Sequence, residues 1–415
     1  MGEMKNSGIE WIGVIPNEWC LSKMKYIGQY INGYAFKPED WGNSGKRIIR
    51  IQDLTRYNDS PNFFDGEIDA KYLVKAGDIL VSWAATLDAF IWEQEDGWLN
   101  QHIFKAIPNE KIVKFEYFYW LIKEAMQNMA NENLHGIMMQ HVTLGLFGNY
   151  AIPLPPIEEQ QKIASFLDRK CAEIDAVIEK TKATIEEYKK LKQSVITEAV
   201  TKGIRDDRLM KDSGAEWLRT IPVEWNMIRG KGLFAETNAR SATGEEELLT
   251  VSQYTGVTPR SQKNVNMFEA ESLEGYKICE IGDIAANTMW LWAGAIGVSE
   301  YEGVISPSYN LYRQLGENYN SRYLDYLLRI TPLVQCYESM STGIRASRLR
   351  LYPQQFLSIK FPVPPMTEQV EIVAYLDNKC TEMDTLITRK TALLEEMETY
   401  KKSVIYEYVT GKKEV

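Results

Sequence analysis

The chain says one thing twice. Residues 155–203 read PPIEEQQKIASFLDRKCAEIDAVIEKTKATIEEYKKLKQSVITEAVTKG, and residues 364–412 read PPMTEQVEIVAYLDNKCTEMDTLITRKTALLEEMETYKKSVIYEYVTGK. The offset is a constant 209, linking Pro155 to Pro364, Gln160 to Gln369, Asp168 to Asp377, Cys171 to Cys380 and Ser194 to Ser403. A second block, SGIEWIGVIPNEW at 7–19, returns as SGAEWLRTIPVEW at 213–225, offset by 206. A repeat of this length restricts the chain to two copies of one structural module, each with a variable insert.

The repeated segment is helical. Each copy follows a proline-rich stop, IPLPP at 152–156 and FPVPP at 361–365, and has no glycine or proline inside. Apolar residues recur in steps of three and four. In the first copy they are Ile163, Leu167, Ile174, Ile178, Ile185, Tyr188 and Val195; in the second, Ile372, Leu376, Met383, Ile387, Leu394, Met397 and Val404. One narrow stripe suits packing against one other helix, as in a coiled coil. About 40 residues at ~1.5 Å each predict rods of roughly 60 Å. The natural partner of each is its sister, antiparallel, because a globular segment separates them. A plain dimerisation coil is a simpler use of such helices, but it leaves the repeated flanks unexplained.

The inserts, about 21–153 and 226–362, read as mixed strands and short helices. RIIRI (47–51), ELLTV (247–251) and NLYRQ (310–314) have strand character, whereas FEYFYWLIKEAM (115–126) and SRYLDYLLRI (321–330) have helical character. Gly77-Asp78-Ile79 matches Gly282-Asp283-Ile284, and His135-Gly136-Ile137 matches Thr342-Gly343-Ile344. The two inserts therefore share a fold. Each long helix is followed by the SG-x-EW block if the C-terminus is joined to the start. The expected fold class is α+β: two similar mixed α/β domains, two long helices in an antiparallel coiled coil, and a pseudo-twofold circular arrangement.

Composition excludes several classes. No apolar run reaches membrane-span length, and WLWAGAIGV (290–298) is the longest. The start lacks the regions of a signal peptide. Five cysteines without a Cys-x-x-Cys pair fit free thiols in a reducing cytoplasm rather than a disulfide framework or a zinc site. The net charge of −10 argues against phosphate contacts in bulk, although a local basic face survives a negative total. There is no phosphate-binding loop, no Gly-x-Gly-x-x-Gly turn and no Asn/Asp-Pro-Pro-Tyr/Phe tetrapeptide. The three histidines, His102, His135 and His141, are too scattered for a metal site, and no acidic pair nominates an acid and a base. The chain reads as non-catalytic, with no metal of its own.

The two helices headed PP-x-x-EQ-x-x-I-x-x-x-LD-x-KC, alternating with variable domains that carry Gly-Asp-Ile, Asn100-Gln101-His102 and Ser306-Pro307-Ser308-Tyr309, resemble the specificity (S) subunit of type I restriction–modification systems over essentially the whole chain. The resemblance implies target recognition domains at 1–156 and 205–365, each reading one half of a split, asymmetric target in double-stranded DNA. It implies spacer helices at 157–204 and 366–415 that set the half-site separation and dock two methylation subunits. S-adenosylmethionine is then expected on those subunits, ATP and magnesium on restriction subunits, and no cofactor on this chain.

The DNA contacts do not carry over by resemblance, because such domains vary, so they are read from chemistry. Arg, Lys, Asn, Gln, Asp and Ser/Thr read base edges, and Lys and Arg hold phosphates. GKRIIRIQDLTRYN offers Lys46, Arg47, Arg50, Gln52, Asp53 and Arg56, with Lys46, Ile48, Arg50 and Gln52 expected on one strand face. TGIRASRLR (342–350) offers Arg345, Ser347, Arg348 and Arg350, and the aligned HGIMMQHVT (135–143) offers Gln140 and His141 beside Met138. TPRSQKNVN (258–266) offers Arg260, Gln262 and Lys263. Ordinary solvated charge fits each of these stretches as well. Trp83, Trp290 and Trp292 are expected in the core, and Lys170, Lys379, Lys192 and Lys401 on a solvated helix face. Two rival readings stand beside DNA recognition: a scaffold tethering two protein-binding domains, and a nuclease with a novel site.

Overall fold

The computed structural model describes residues 3–55, 60–134, 142–263, 272–343 and 349–415. The chain forms two units, Met1–Thr181 with Ala392–Val415, and Lys182–Thr391. Each unit is an α/β domain with part of both long helices, the central helix Ile157–Lys202 (46 residues) and the C-terminal helix Met366–Val409 (44 residues).

In the first unit, strands Gly28–Asn32, Ile103–Pro108, Ile79–Ser82 and Asp88–Ile91 form an antiparallel sheet in that order. Helix Phe115–Leu134 packs against Asp88–Ile91, where Lys123 pairs with Asp88 at 2.8 Å. A second sheet sets Lys46–Ile49 parallel to Gly97–Leu99. The second unit repeats the plan with Phe234–Thr237, Asn310–Gln314, Ile284–Ala286 and Ile296–Val298. Its parallel contact survives as a single bridge between Leu248 and Val304.

The strand expected at 47–51 ends at Ile49, and Ile51–Thr55 is a short helix. Asp53 turns the chain, because its carboxylate accepts from the Arg50 amide at 2.8 Å and from the Arg47 guanidinium at 3.1 Å. Lys46, Ile48, Arg50 and Gln52 therefore share no strand face. The strand expected at 247–251 is shifted to Leu249–Ser252, and 310–314 is a strand as expected. The helix expected at 115–126 runs on to Leu134, and the one at 321–330 spans Ser321–Leu328.

The same hydrogen bonds anchor each helix to its domain. Gln160 is fully buried and bonds the Lys114 amide (2.9 Å), the Ile112 carbonyl (3.1 Å) and the Pro155 carbonyl (2.9 Å). Gln369 does the same with Asn320, Asn318 and Pro364 at 2.9, 2.9 and 3.0 Å. Trp19 donates to Glu159, and Trp225 to Glu368. Tyr117 donates to the Val409 carbonyl in the first unit, and Tyr323 to the Val200 carbonyl in the second. These last bonds seat the end of one long helix beside the start of the other, so the two run antiparallel within each unit. Lys401 pairs with Asp175 in the first unit and Lys192 with Asp384 in the second, each at 2.6 Å. Two of the four lysines expected on a solvated face are thus cross-helix partners.

The seam residues Ile163, Leu167, Ile174, Ile178, Ile185, Leu376 and Met383 are buried, whereas Ile387 and Leu394 are half-buried. At the C-terminus Lys412 donates to the carbonyls of Ile12 (2.5 Å) and Val14, and Gly411 approaches Pro16 and Trp19. The end of the C-terminal helix meets the first SG-x-EW block as the end of the central helix meets the second.

One buried acid stands outside these repeats. Glu124 bonds Asn128 through one oxygen (2.6 Å), and its other oxygen is buried without a partner. Burial raises its pKa from 4.5 to about 7. The folded state then holds a proton that the unfolded state releases, so stability is lost as pH rises from about 4.5 through about 7. We expect a loss of about 3 kcal/mol in the first unit between pH 5 and pH 8. Glu124→Gln should flatten that slope in denaturant titrations at the two pH values.

Candidate nucleic-acid interface

Three polar loops meet in the first unit. The turn Asn100-Gln101-His102 joins the parallel strand Gly97–Leu99 to the sheet strand Ile103–Pro108. Asn100 is buried, its amide donates to the Ile49 carbonyl at 3.3 Å, and its side chain accepts from the His102 amide. This brings the end of the Lys46–Ile49 strand, and Arg50 after it, against the turn. On the other side Trp83, which follows strand Ile79–Ser82, lies 5.6 Å from the exposed His102 ring. The Trp83 carbonyl accepts from Val142, the first described residue after 135–141.

The second unit assembles the same places from other residues. Asn287 donates to the Tyr309 hydroxyl at 3.0 Å, and Thr288 to the Ser308 carbonyl at 2.5 Å. Buried Lys277 donates to the Tyr309 carbonyl at 2.7 Å, and desolvation lowers its pKa. Burial raises the Tyr309 pKa, while Asn287 and the nearby Arg260 charge oppose that rise. Arg260 is half-buried at the start of the short turn Arg260–Gln262. Thr342 and Arg350 pair antiparallel, each bond 3.0 Å.

The sequence-nominated residues separate accordingly. Lys46 and Gln52 are exposed, and Arg50 is half-buried over the Trp41 ring at 5.1 Å. Arg47 is committed to buried Asp53 and is structural. Gln262 is exposed on the short turn Arg260–Gln262, Lys263 is half-buried with its pKa lowered by desolvation, and Arg350 is exposed. Arg56, Gln140, His141, Arg345, Ser347 and Arg348 lie outside the described residues. The core assignment fails for Trp290, which is 52% exposed in the hairpin between Ile284–Ala286 and Ile296–Val298 and stacks on Trp292 at 5.8 Å. Its signal in the sequence is a tryptophan run whose counterpart in the first insert is the short loop Ala84-Ala85-Thr86. Among the described residues there is no group of three or more His, Cys, Asp or Glu able to hold a metal, and no helix long and apolar enough to cross a membrane.

Two repeat-related α/β units thus each carry part of both long helices and a cluster of polar loops. Residues 16–187 match the model of the type I restriction modification DNA specificity domain. The chain is 29% identical over 234 residues to the EcoBI specificity subunit of Escherichia coli, covering 54% of this chain and 48% of that subunit. It thus spans about half the length of that relative. It is 23% identical to the MjaVIII specificity subunit of Methanocaldococcus jannaschii, covering 90% of this chain and 93% of that one. Among solved structures, it superposes with a TM-score of 0.69 and 15% identity on a chain from a study of assembly and conformational transition of the type I R-M system, covering 96% and 99% of the two chains. For the HsdS subunit of Thermoanaerobacter tengcongensis the TM-score is 0.51 at 16% identity, covering 96% and 98%. Residues 16–187 thus match a type I restriction modification DNA specificity domain, and the chain as a whole is similar to type I specificity subunits.

Arg47→Ala should destabilise the first unit by about 2 kcal/mol, because it removes a charged hydrogen-bond partner from a buried carboxylate. Arg50→Ala should cost at most about 1 kcal/mol, the worth of its contact with Trp41. Urea unfolding of the two variants side by side tests the division between structural and available arginines.

Proposed function

We propose that this chain reads a bipartite, asymmetric DNA target, one half-site per unit, with unread base pairs between. The observation that carries the reading is the loop cluster, present in both units with different chemistry: Asn100, His102 and Trp83 in one, Tyr309, Thr288 and Arg260 in the other. One scaffold with two sets of hydrogen-bonding groups is what recognition of two unlike sequences requires. The long helices act as the ruler. At 1.5 Å per residue, the 46 residues of the central helix come to about 69 Å, which bounds the half-site separation at about 20 base pairs.

The same helices dock two methylation subunits. Besides the seam, a second heptad position is apolar: Val177 and Leu191 are 46% and 49% exposed, and 209 residues on, Leu386 is half-buried and Tyr400 is 45% exposed. Exposed apolar residues at helical spacing fit further helices laid alongside. Adenine methylation with S-adenosylmethionine belongs to those partners, and ATP- and magnesium-dependent translocation to restriction subunits.

Co-expression with the methylation subunit and single-molecule mapping of methylated adenine should give a two-part motif with one modified adenine in each half. Exchanging residues 21–153 for another such domain should change one half alone. Inserting a heptad into both helices should lengthen the spacer and leave both halves unchanged. An intact, cofactor-loaded complex that methylates nothing would instead support the protein-scaffold reading.

A further inference from the structure

The first unit has a cavity that the DNA reading does not use. It has a volume of about 400 Å³ and lies where the first SG-x-EW block meets strand Ala151–Leu154. Trp11 and Tyr150 stack at 5.3 Å and 16°, and Trp11 is held by its bond to the Ala151 carbonyl at 3.2 Å. Glu10 and Glu132 line the same cavity, and Tyr150 donates to Glu132 at 3.2 Å. Among the described residues none of those lining it is basic. Lys25 holds the lining residue Asn149 at 2.9 Å, and Lys23 pairs with the lining residue Ala151 across the strands. Leu146, 60% exposed, forms an apolar rim.

The repeat supplies an internal comparison. In the second unit Trp217 makes the matching bond to the Lys360 carbonyl at 3.0 Å. There the chain's own Lys360 ammonium reaches across to the Gly214 carbonyl at 2.8 Å. In the first unit Ala151 replaces that lysine, Tyr150 replaces Ile359, and nothing stands within 4 Å of a Cβ built on Gly8, the counterpart of Gly214. At this strand position the first unit thus has a methyl group where the second has an ammonium, and it adds the Tyr150 ring, which bonds Glu132.

We propose that the Trp11–Tyr150 cavity of the first unit receives a cationic side chain, arginine or lysine, from a partner protein. The aromatic pair offers its electron-rich face to the cation, and Glu10 and Glu132 supply the counter-charge. Phosphate is repelled by the same carboxylates, so the site is not a DNA contact. The apolar rim at Leu146 accepts the stem of the incoming residue. In the second unit Lys360 places its own ammonium beside the Gly214 carbonyl, so the two units offer unlike surfaces here.

The test uses the full chain labelled with 5-fluorotryptophan, with Trp11→Phe to assign the Trp11 resonance. N-acetyl-arginine amide and N-acetyl-lysine amide should shift that resonance saturably at concentrations on the order of millimolar, and N-acetyl-glutamate amide should not. Glu132→Gln should weaken the response several-fold. Ala151→Lys, which copies the second unit, should abolish it. The remaining ten tryptophan resonances report the fold of each variant, and exposed Glu10→Gln serves if Glu132→Gln disturbs them. Three results would overturn the proposal: no saturable shift, a shift that Glu132→Gln, Glu10→Gln and Ala151→Lys all leave unchanged, or saturation by spermidine far below both amino-acid probes, which would assign the cavity to a polyamine. The measurement needs no DNA or methylation subunit, so its failure is separate from failure of the recognition reading.

Discussion

Two buried glutamines hold this structure to its plan. Gln160 and Gln369 stand in the first turn of their helices, and each side-chain amide spends its donors and acceptor on backbone groups. Two of the three partners lie in the domain and one in the proline stop. A glutamine amide matches one N–H and two C=O groups at once, which neither a glutamate nor an apolar side chain can do. Each bond contributes about 1 kcal/mol net, but losing the side chain leaves three buried backbone groups unpaired, and that is the larger cost. The tryptophan–glutamate bonds beside them, Trp19 to Glu159 and Trp225 to Glu368, fix the same joint from the SG-x-EW block. The two repeated blocks thus supply the two sides of one joint.

The joint is duplicated but not identical. In the second unit Arg208 closes on Glu368 and bonds Glu224, and its guanidinium lies 5.9 Å from the Trp225 ring. In the first unit the tail bonds another part of the block, Lys412 donating to the carbonyls of Ile12 and Val14, whose counterparts are Leu218 and Thr220. The Gly-Asp-Ile turn shows the same economy. Gly77 and Gly282 adopt φ of +94° and +89°, where a side chain is strained, and the following aspartate accepts from the amide three residues earlier. The cation facing that aspartate is Lys105 in one unit and Arg313 in the other. Backbone-directed bonds are kept, and the side chains that meet them are free to change.

The fold was largely legible because its signals are local or periodic. Pro155-Pro156 and Pro364-Pro365 mark helix starts, and the apolar steps from Ile163 to Ile185 mark a buried seam. The seam weakens at Ile387 and Leu394, which periodicity alone gives no way to see. The site was legible in its loops and not in its side chains. Arg47 and Arg50 look alike in the sequence, yet one is tied to Asp53 and the other lies over Trp41. Asp53 could have signalled the difference, since an aspartate placed to accept from an amide three residues back ends a strand and opens a helix. Trp290 was misread because large aromatics are usually buried, and only its place in a hairpin tip exposes it.

The division between fixed and variable groups also explains how an acidic chain can serve DNA. Much of its acid is occupied by its own cations. Asp175 and Asp384 each hold a lysine of the opposite helix, Asp88 holds Lys123, and Asp53 and Asp283 hold arginines. Each such pair sums to zero, so the −10 resides in acids elsewhere on the chain, and the total says little about any one surface. What a phosphate meets is decided by the loops, where Lys46, Gln52, Gln262 and Arg350 are exposed. These four exposed residues stand apart from the bonds that anchor the helices, whereas Arg47 and Asn100 beside them are tied into the fold.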